Sequence, residues 1–336
     1  MLPMPPMPPI LIATRGSALA RAQSGMVLAE CRAKFPGLSF DLVIIKTTGD
    51  KLQNARLAEA AGAADPRTAP PPQLPRALFT KELEDALLEG RADLAVHSLK
   101  DLPTDLPGGL RLAGVAGMRA DVRDVLIYRV DNGLVPRMRL PDFPPGLTVA
   151  TGSARRLTQL LASRPDFRAI PIRGNVPTRL RKLTEQPEMD ATILAAAGLE
   201  RLDIRVSPTG LLRGGGVPHD LAACVLEPEL MLPCVGQGAI GLEIRDKDAR
   251  LAEICRRLDH YPTSQCVAAE RSFLRAMGGG CQTPIGAYAC VAGRRIYMRA
   301  VAHLTQNVRR AEARAPLPDA VALGEKVAAQ LLGEAP

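Results

Sequence analysis

A chain of 336 residues, 46% hydrophobic and 23% charged, can bury more than one core and is long enough for two or three domains. Its formal charge of +8 favours an anionic partner, but Trp is absent and aromatics are only 3%, so the stacking platforms of single-stranded nucleic-acid binders are largely missing. The 7 cysteines are scattered and never fall in a Cys-x-x-Cys pair, which argues against a disulfide framework and a zinc site, and no apolar run reaches the length of a membrane span.

Residues 1–9 form a Met/Pro tract that can neither continue a helix nor pair as a strand. They read as a disordered leader without the charged start and apolar core of a secretory signal, which makes the cytoplasm the expected compartment. A strand is predicted from Ile10, turning through Thr14-Arg15-Gly16-Ser17 into a helix over residues 18–32 with Ser17 as N-cap. Arg15 beside unpaired helix amides would suit a carboxylate or phosphate; an ordinary capped helix is the alternative reading. A second strand follows over residues 40–46 by its β-branched content. Residues 50–78 lose all periodicity and read as a lid or a disordered insertion.

Thr80 is expected to cap a helix over residues 81–89, with Phe79, Leu83 and Leu87 on one stripe and Gly90 as its left-handed stop. Residues 94–96 then read as a buried strand. Ligand sites of α/β sheets gather at the carboxyl ends of strands, so His97, Ser98, Lys100 and Asp101 stand where a site should be, although a solvated turn has the same appearance. After a short apolar piece at 112–116, residues 121–124 look like a crossing point and a new strand starts at Val125.

Further on, Val149-Ala150-Thr151-Gly152-Ser153-Ala154 echoes Ile12-Ala13-Thr14-Arg15-Gly16-Ser17-Ala18, which suggests two α/β domains facing one another across a cleft. From Ser153 to Lys182 eight basic residues face a single acidic one, Asp166. Arg155, Arg156, Arg173 and Arg179 fall at element junctions, and guanidinium groups suit bidentate carboxylate binding. Arg164, by spacing, falls on the exposed side of the same helix as Arg155 and Arg156. Residues 191–201 continue the second domain, and 232–241 read as a Gly-hinged return crossing. From Tyr261 a smaller unit begins, whose helix runs into Gly278-Gly279-Gly280-Cys281-Gln282-Thr283-Pro284. The three glycines remove side-chain cover, so Cys281 is expected on an exposed loop. Strands over 285–291 and 296–301 and a helix over 318–332 complete a small α/β cap.

Six motifs in this order carry a family resemblance: Thr14-Arg15-Gly16-Ser17-Ala18-Leu19-Ala20 with Gln23, Phe79-Thr80-Lys81-Glu82-Leu83-Glu84, Val96-His97-Ser98-Leu99-Lys100-Asp101-Leu102-Pro103, Ile172-Arg173-Gly174-Asn175-Val176 with Thr178-Arg179-Leu180, Val235-Gly236-Gln237-Gly238-Ala239, and Gly279-Gly280-Cys281-Gln282-Thr283-Pro284. From about Ile10 to Leu332 the chain resembles the porphobilinogen deaminase family, the hydroxymethylbilane synthases. The resemblance implies an α/β fold of three domains, the first two like a type 2 periplasmic-binding-protein pair and the third a small α/β domain. It divides the chain into the leader at 1–9, domain 1 over 10–116 plus 239–256, domain 2 over 122–232 and domain 3 over 261–334. It also implies the reaction of a transferase: four porphobilinogen molecules lose ammonia and join head to tail into linear hydroxymethylbilane, on the way to porphyrins and heme.

Loss of ammonia from an aminomethyl pyrrole leaves a cationic azafulvene whose ring N–H is a donor, so a nearby carboxylate stabilises the charge as it develops. Asp101 matches the family's catalytic aspartate. Each pyrrole carries an acetate and a propionate, and by resemblance Arg15, Ser17, Lys100, Ser153, Arg155, Arg156, Arg173, Arg179 and Arg201 match positions that hold cofactor or substrate. Cys281 matches the thioether anchor of the dipyrromethane cofactor, a thiolate adding to the same electrophile. His97 takes a structural place. The resemblance implies no metal, no nucleic-acid or membrane partner, and a monomer. Two departures stand out: Leu74-Pro75-Arg76-Ala77-Leu78 replaces the family's glycine-rich, lysine-containing loop, and the second-domain turn reads Ala150-Thr151-Gly152-Ser153-Ala154, without the family's opening Gly and the Leu before the Arg pair but with the Ser153 hydroxyl kept. Two rival readings remain: a non-catalytic small-anion-binding module of the same fold, and a nucleic-acid binder, which would explain the charge alone.

Overall fold

The computed structural model describes residues 8–47, 80–131, 133–279, 283–304 and 307–333. The lid expected over 50–78, Phe79 and Cys281 lie outside them. In chain order the elements are β1 (Ile10–Arg15), α1 (Ala18–Lys34), β2 (Phe40–Ile45), α2 (Lys81–Leu88), β3 (Leu94–Ser98), β4 (Leu110–Val115), β5 (Asp124–Arg129), β6 (Thr148–Ala150), α3 (Ala154–Ser163), β7 (Arg168–Ile170), α4 (Val176–Glu185), β8 (Ala191–Ala195) and α5 (Ala196–Glu200). They continue through a small hairpin, β9 (Arg205–Val206) and β10 (Leu212–Arg213), to β11 (Leu221–Leu226), β12 (Ile240–Arg245), α6 (Ala249–Leu258), α7 (Tyr261–Ala276), β13 (Ile285–Ala292), β14 (Arg295–Leu304), β15 (Asn307–Pro316) and α8 (Ala320–Leu332).

The echo between the two Gly-Ser turns extends to whole sheets. The first runs β2-β1-β3-β12-β4 and the second β7-β6-β8-β5-β11, the same order built twice. In each sheet one strand runs against both its neighbours: β12 lies antiparallel between β3 and β4, and β5 antiparallel between β8 and β11. Those two strands directly follow the crossings, so each half of the chain donates one strand to the other half's sheet. The repeated order is the paired α/β layout that the family resemblance implies for the first two domains.

Local sequence explains most elements. Ser17 caps α1 by accepting from the Ala20 amide at 3.3 Å, and Ser153 caps α3 through the Arg156 amide at 3.4 Å. Leu83, Ala86 and Leu87 of α2 are fully buried with Ala13 and Ala95 on one side of the first sheet, while Val27 and Cys31 of α1 pack with Ile254 and Cys255 of α6 on the other. Each such large side chain contributes about 1.5–3 kcal/mol relative to exposure. Gly90, at φ 73°, is the left-handed stop predicted after α2. Thr80 differs from expectation: with φ −111° and ψ −30° it is already helical, and its hydroxyl caps no amide, because capping needs an extended residue.

The third sheet is antiparallel, β13-β14-β15, with α7 and α8 covering one face through Phe273, Leu323, Val327 and Leu331. Strand β15 corrects the sequence reading, which placed two strands here. Its inward residues are Ala311, Ala313 and Ala315, alternating with charged ones, and alanine has too little strand preference to reveal the pattern. Helix α8 starts at Ala320, after a 3-10 turn over Leu317–Asp319, two residues later than expected. Among the described residues all six cysteines are free, and no helix is long and apolar enough to cross a membrane.

Candidate active site

The carboxyl end of β3 is where the two repeated sheets approach each other. Ser98 donates to Gln23 of α1 at 2.9 Å, and a 3-10 turn over Leu99–Asp101 follows at once. Lys100 reaches Gln237 of the return crossing at 3.5 Å. A narrow crevice there has Leu19, Ser98 and Lys100 on one wall and Ala195, Gly198 and Arg201 on the other. Arg15 lies at the end of β1 and Ser17 just beyond it; Arg155 and Arg156 open α3 beside Ser153, and Arg173 and Arg179 flank the start of α4.

Asp124 organises the second wall. It is fully buried, accepting from Arg155 Nη2 at 2.8 Å, from Arg156 Nε and Nη2 at 3.2 and 2.8 Å, and from Gln237 Nε2 at 3.0 Å. Burial alone would raise this carboxyl; the two guanidinium groups override it and hold it well below the usual carboxylate range. Arg155 also donates to Leu232 O at 2.7 Å and Arg156 to Ile193 O at 2.8 Å. These two arginines therefore tie β5, β8 and the return crossing together. The sequence reading missed Asp124, taking it only as part of a crossing point. The available signal was an aspartate opening the apolar run 125–128 of a buried strand, a position that demands a counter-ion.

The remaining cations are less fully compensated. Burial, then the nearby Arg156 and Arg173, bring the Arg179 guanidinium down to about 10, with Asp101 pulling the other way. Lys100 is also lowered, first by burial and then by Arg156, against the attraction of Asp101. Arg201 is lowered by burial; one guanidinium nitrogen donates to Gly238 O at 2.6 Å, while its Nε is buried with no partner. Asp101 is half-buried and stands within electrostatic reach of Lys100, Arg179 and Cys234. Asp101 thus sits among dehydrated cations, an arrangement suited to a ligand carrying several carboxylates and an N–H or developing positive charge.

His97 is turned away from this chemistry: its Nε2 lies 2.8 Å from Glu243 of β12, and both are buried. Arg164 is not the solvated residue its spacing suggested. It ends α3, donates to Leu140 O and Phe143 O at 2.6 and 2.9 Å, pairs with Asp166 at 2.7 Å and lies 4.0 Å over the Phe167 ring.

Comparison with known proteins gives the family. The family model described as porphobilinogen deaminase, dipyromethane cofactor binding domain, matches residues 10–253, and the model of the porphobilinogen deaminase C-terminal domain matches residues 264–333. Porphobilinogen deaminase of Desulforudis audaxviator is 42% identical over 325 residues, covering 96% of this chain and 94% of that protein. That of Moorella thermoacetica is 44% identical over 282 residues, 84% of this chain and 79% of its own. The chain belongs to the porphobilinogen deaminase family.

Proposed function

We propose that this enzyme condenses four porphobilinogen molecules head to tail, with loss of ammonia at each step, and releases linear hydroxymethylbilane. In this reading Asp101 accepts the pyrrole N–H and offsets the positive charge that develops as ammonia leaves. Arg15, Lys100, Arg155, Arg156, Arg173, Arg179 and Arg201, with the Ser17 and Ser153 hydroxyls, hold acetate and propionate groups. The observation that carries the assignment is the half-buried carboxylate of Asp101 beside Lys100 and Arg179, two cations whose charge is disfavoured where they stand. A bound polycarboxylate would restore their balance, whereas a simple anion-binding module has no use for Asp101 at the centre.

The same residues fit the family's dipyrromethane. The buried, unpartnered Nε of Arg201 and the depressed Arg179 are what a carboxylate-rich group would satisfy. When bound, the cofactor supplies the primer on which the pyrrole chain grows. Cys281 is the proposed anchor, through a thioether. The division into domains over 10–116 plus 239–256, 122–232 and 261–334 is proposed with it, as are a monomeric state and a cytoplasmic location.

Two measurements test the reading. Protein from cells able to make porphobilinogen should weigh more than its sequence by two linked pyrroles, and Cys281→Ser should lose that mass; an adduct on another cysteine would remove Cys281 from its role. Asp101→Asn should load normally but turn over on the order of a hundredfold or more slower, because one preorganised electrostatic partner is lost. Turnover within a fewfold of wild type would remove Asp101 from its role.

A further inference from the structure

Helix α7 belongs to the third sheet's layer, yet two of its side chains grip the segment that follows Asp101. Arg271, only 9% exposed, donates from Nη1 to Leu102 O at 3.2 Å and from Nη2 to Pro103 O at 2.6 Å and Thr104 O at 3.1 Å. One turn later Arg275 adds bonds to Thr104 O at 2.9 Å and Asp105 at 3.0 Å. The carbonyls that end a helical turn have no partner within it, and Pro103 has no amide with which the turn could continue. The planar, multi-donor fork of arginine can gather three successive carbonyls; an ammonium group, as a compact point charge, does this less well.

The other side of the turn is fixed by the return crossing. Leu99 N donates to Ala239 O at 3.1 Å, and Leu102 N closes the turn on Leu99 O at 3.1 Å. The neighbour of Arg271 in sequence, Glu270, holds that crossing by accepting from Gly236 N at 2.8 Å. Residues 270 and 271 therefore grip the two segments between which Asp101 is held. The same helix leads through Gly278 and Gly279 toward Cys281.

We infer that Arg271 is a positioning residue for the condensation: by holding the carbonyls of Leu102, Pro103 and Thr104 it fixes the backbone that aims the Asp101 carboxylate. This rests on the proposed role of Asp101. A small displacement of an aligned group can cost far more rate than binding, so Arg271→Ala should lower kcat on the order of tenfold or more while KM for porphobilinogen changes only a fewfold. Arg271→Lys, which keeps the charge but loses the fork, should fall between wild type and Arg271→Ala.

A double-mutant cycle tests the coupling, read by intact mass as the rate at which cofactor-loaded protein gains its first pyrrole unit. If Arg271 acts through Asp101, adding Arg271→Ala to Asp101→Asn should slow that step no further, because the carboxylate being aimed is already gone. Losses that multiply in the double variant, or an unchanged kcat in Arg271→Ala, would overturn the inference while leaving Asp101 in place. An Asp101→Asn protein as fast as wild type would instead remove the role of Asp101 and the inference with it. Circular dichroism and the adduct mass report whether each variant folds and loads; if Arg271→Ala does neither, Arg271→Lys carries the same cycle.

Discussion

Arg119 and Glu270 form a two-pronged ion pair, Nη1 to Oε1 at 2.6 Å and Nη2 to Oε2 at 2.9 Å, with the carboxylate wholly buried. Glu270 also accepts from Gly236 N and from Ala289 N, each at 2.8 Å, and Arg119 Nε donates to Gln237 O at 2.8 Å. Residue 119 lies in the outward crossing, 236 in the return crossing and 289 in β13. One carboxylate therefore joins both inter-sheet connections to the third sheet.

Removing one partner of such a pair leaves a buried charge uncompensated. Glu270→Gln should lower unfolding stability by about 3–5 kcal/mol. Denaturant unfolding measures this directly, and an unchanged midpoint would show that the pair is dispensable.

Asp124 makes stability depend on pH in a definite direction. Its folded carboxyl is held below the unfolded value of about 3.9, so its contribution is present above that pH and is lost as pH falls toward the lower folded value. Acid titration of stability should therefore show a loss below about pH 4 that is shallower in Asp124→Asn. The variant should also be less stable at neutral pH, since Arg155 and Arg156 lose their shared counter-ion.

Crowded cations predict that anions stabilise the protein most when the cofactor is missing. Cys281→Ser, unable to load, should melt below loaded wild type and should gain more from added sulfate, which binds or screens the cluster around Arg179 and Arg201. Equal gains in the two proteins would argue that the cations are already balanced.

Arg164 and Arg155 should separate structure from recognition within one helix. Arg164→Leu removes charge-assisted bonds to Leu140 O, Phe143 O and Asp166, at a cost of about 1.5–3 kcal/mol each where buried and less at the exposed Asp166 pair, with porphobilinogen turnover kept. Arg155→Leu should lose both stability and cofactor loading. Thermal melts set beside adduct mass distinguish the two, and a loaded, active Arg155→Leu protein would confine Arg155 to a structural role.

Much of this was readable from local chemistry. Ser17 and Ser153 before their helices, Gly90 after α2 and the apolar run ending at His97 each express a backbone requirement of a few neighbouring residues. β15 was not readable because its buried face is made of alanines. Thr80 misled because its composition suits a cap while its dihedral angles do not.

By itself the sequence determined the repeated strand-turn-helix units, the placing of Lys100 and Asp101 after a buried strand, and the six motifs that identify the family. Only the tertiary structure decided which charges meet. Asp124 finds Arg155 and Arg156 from 31 and 32 residues away, Glu243 meets His97 across 146, and Arg271 reaches Leu102 across 169. Helical and strand periodicity report only which face of an element is buried. The partner of a buried charge is set by which elements the chain crossings bring together, and no local pattern encodes that.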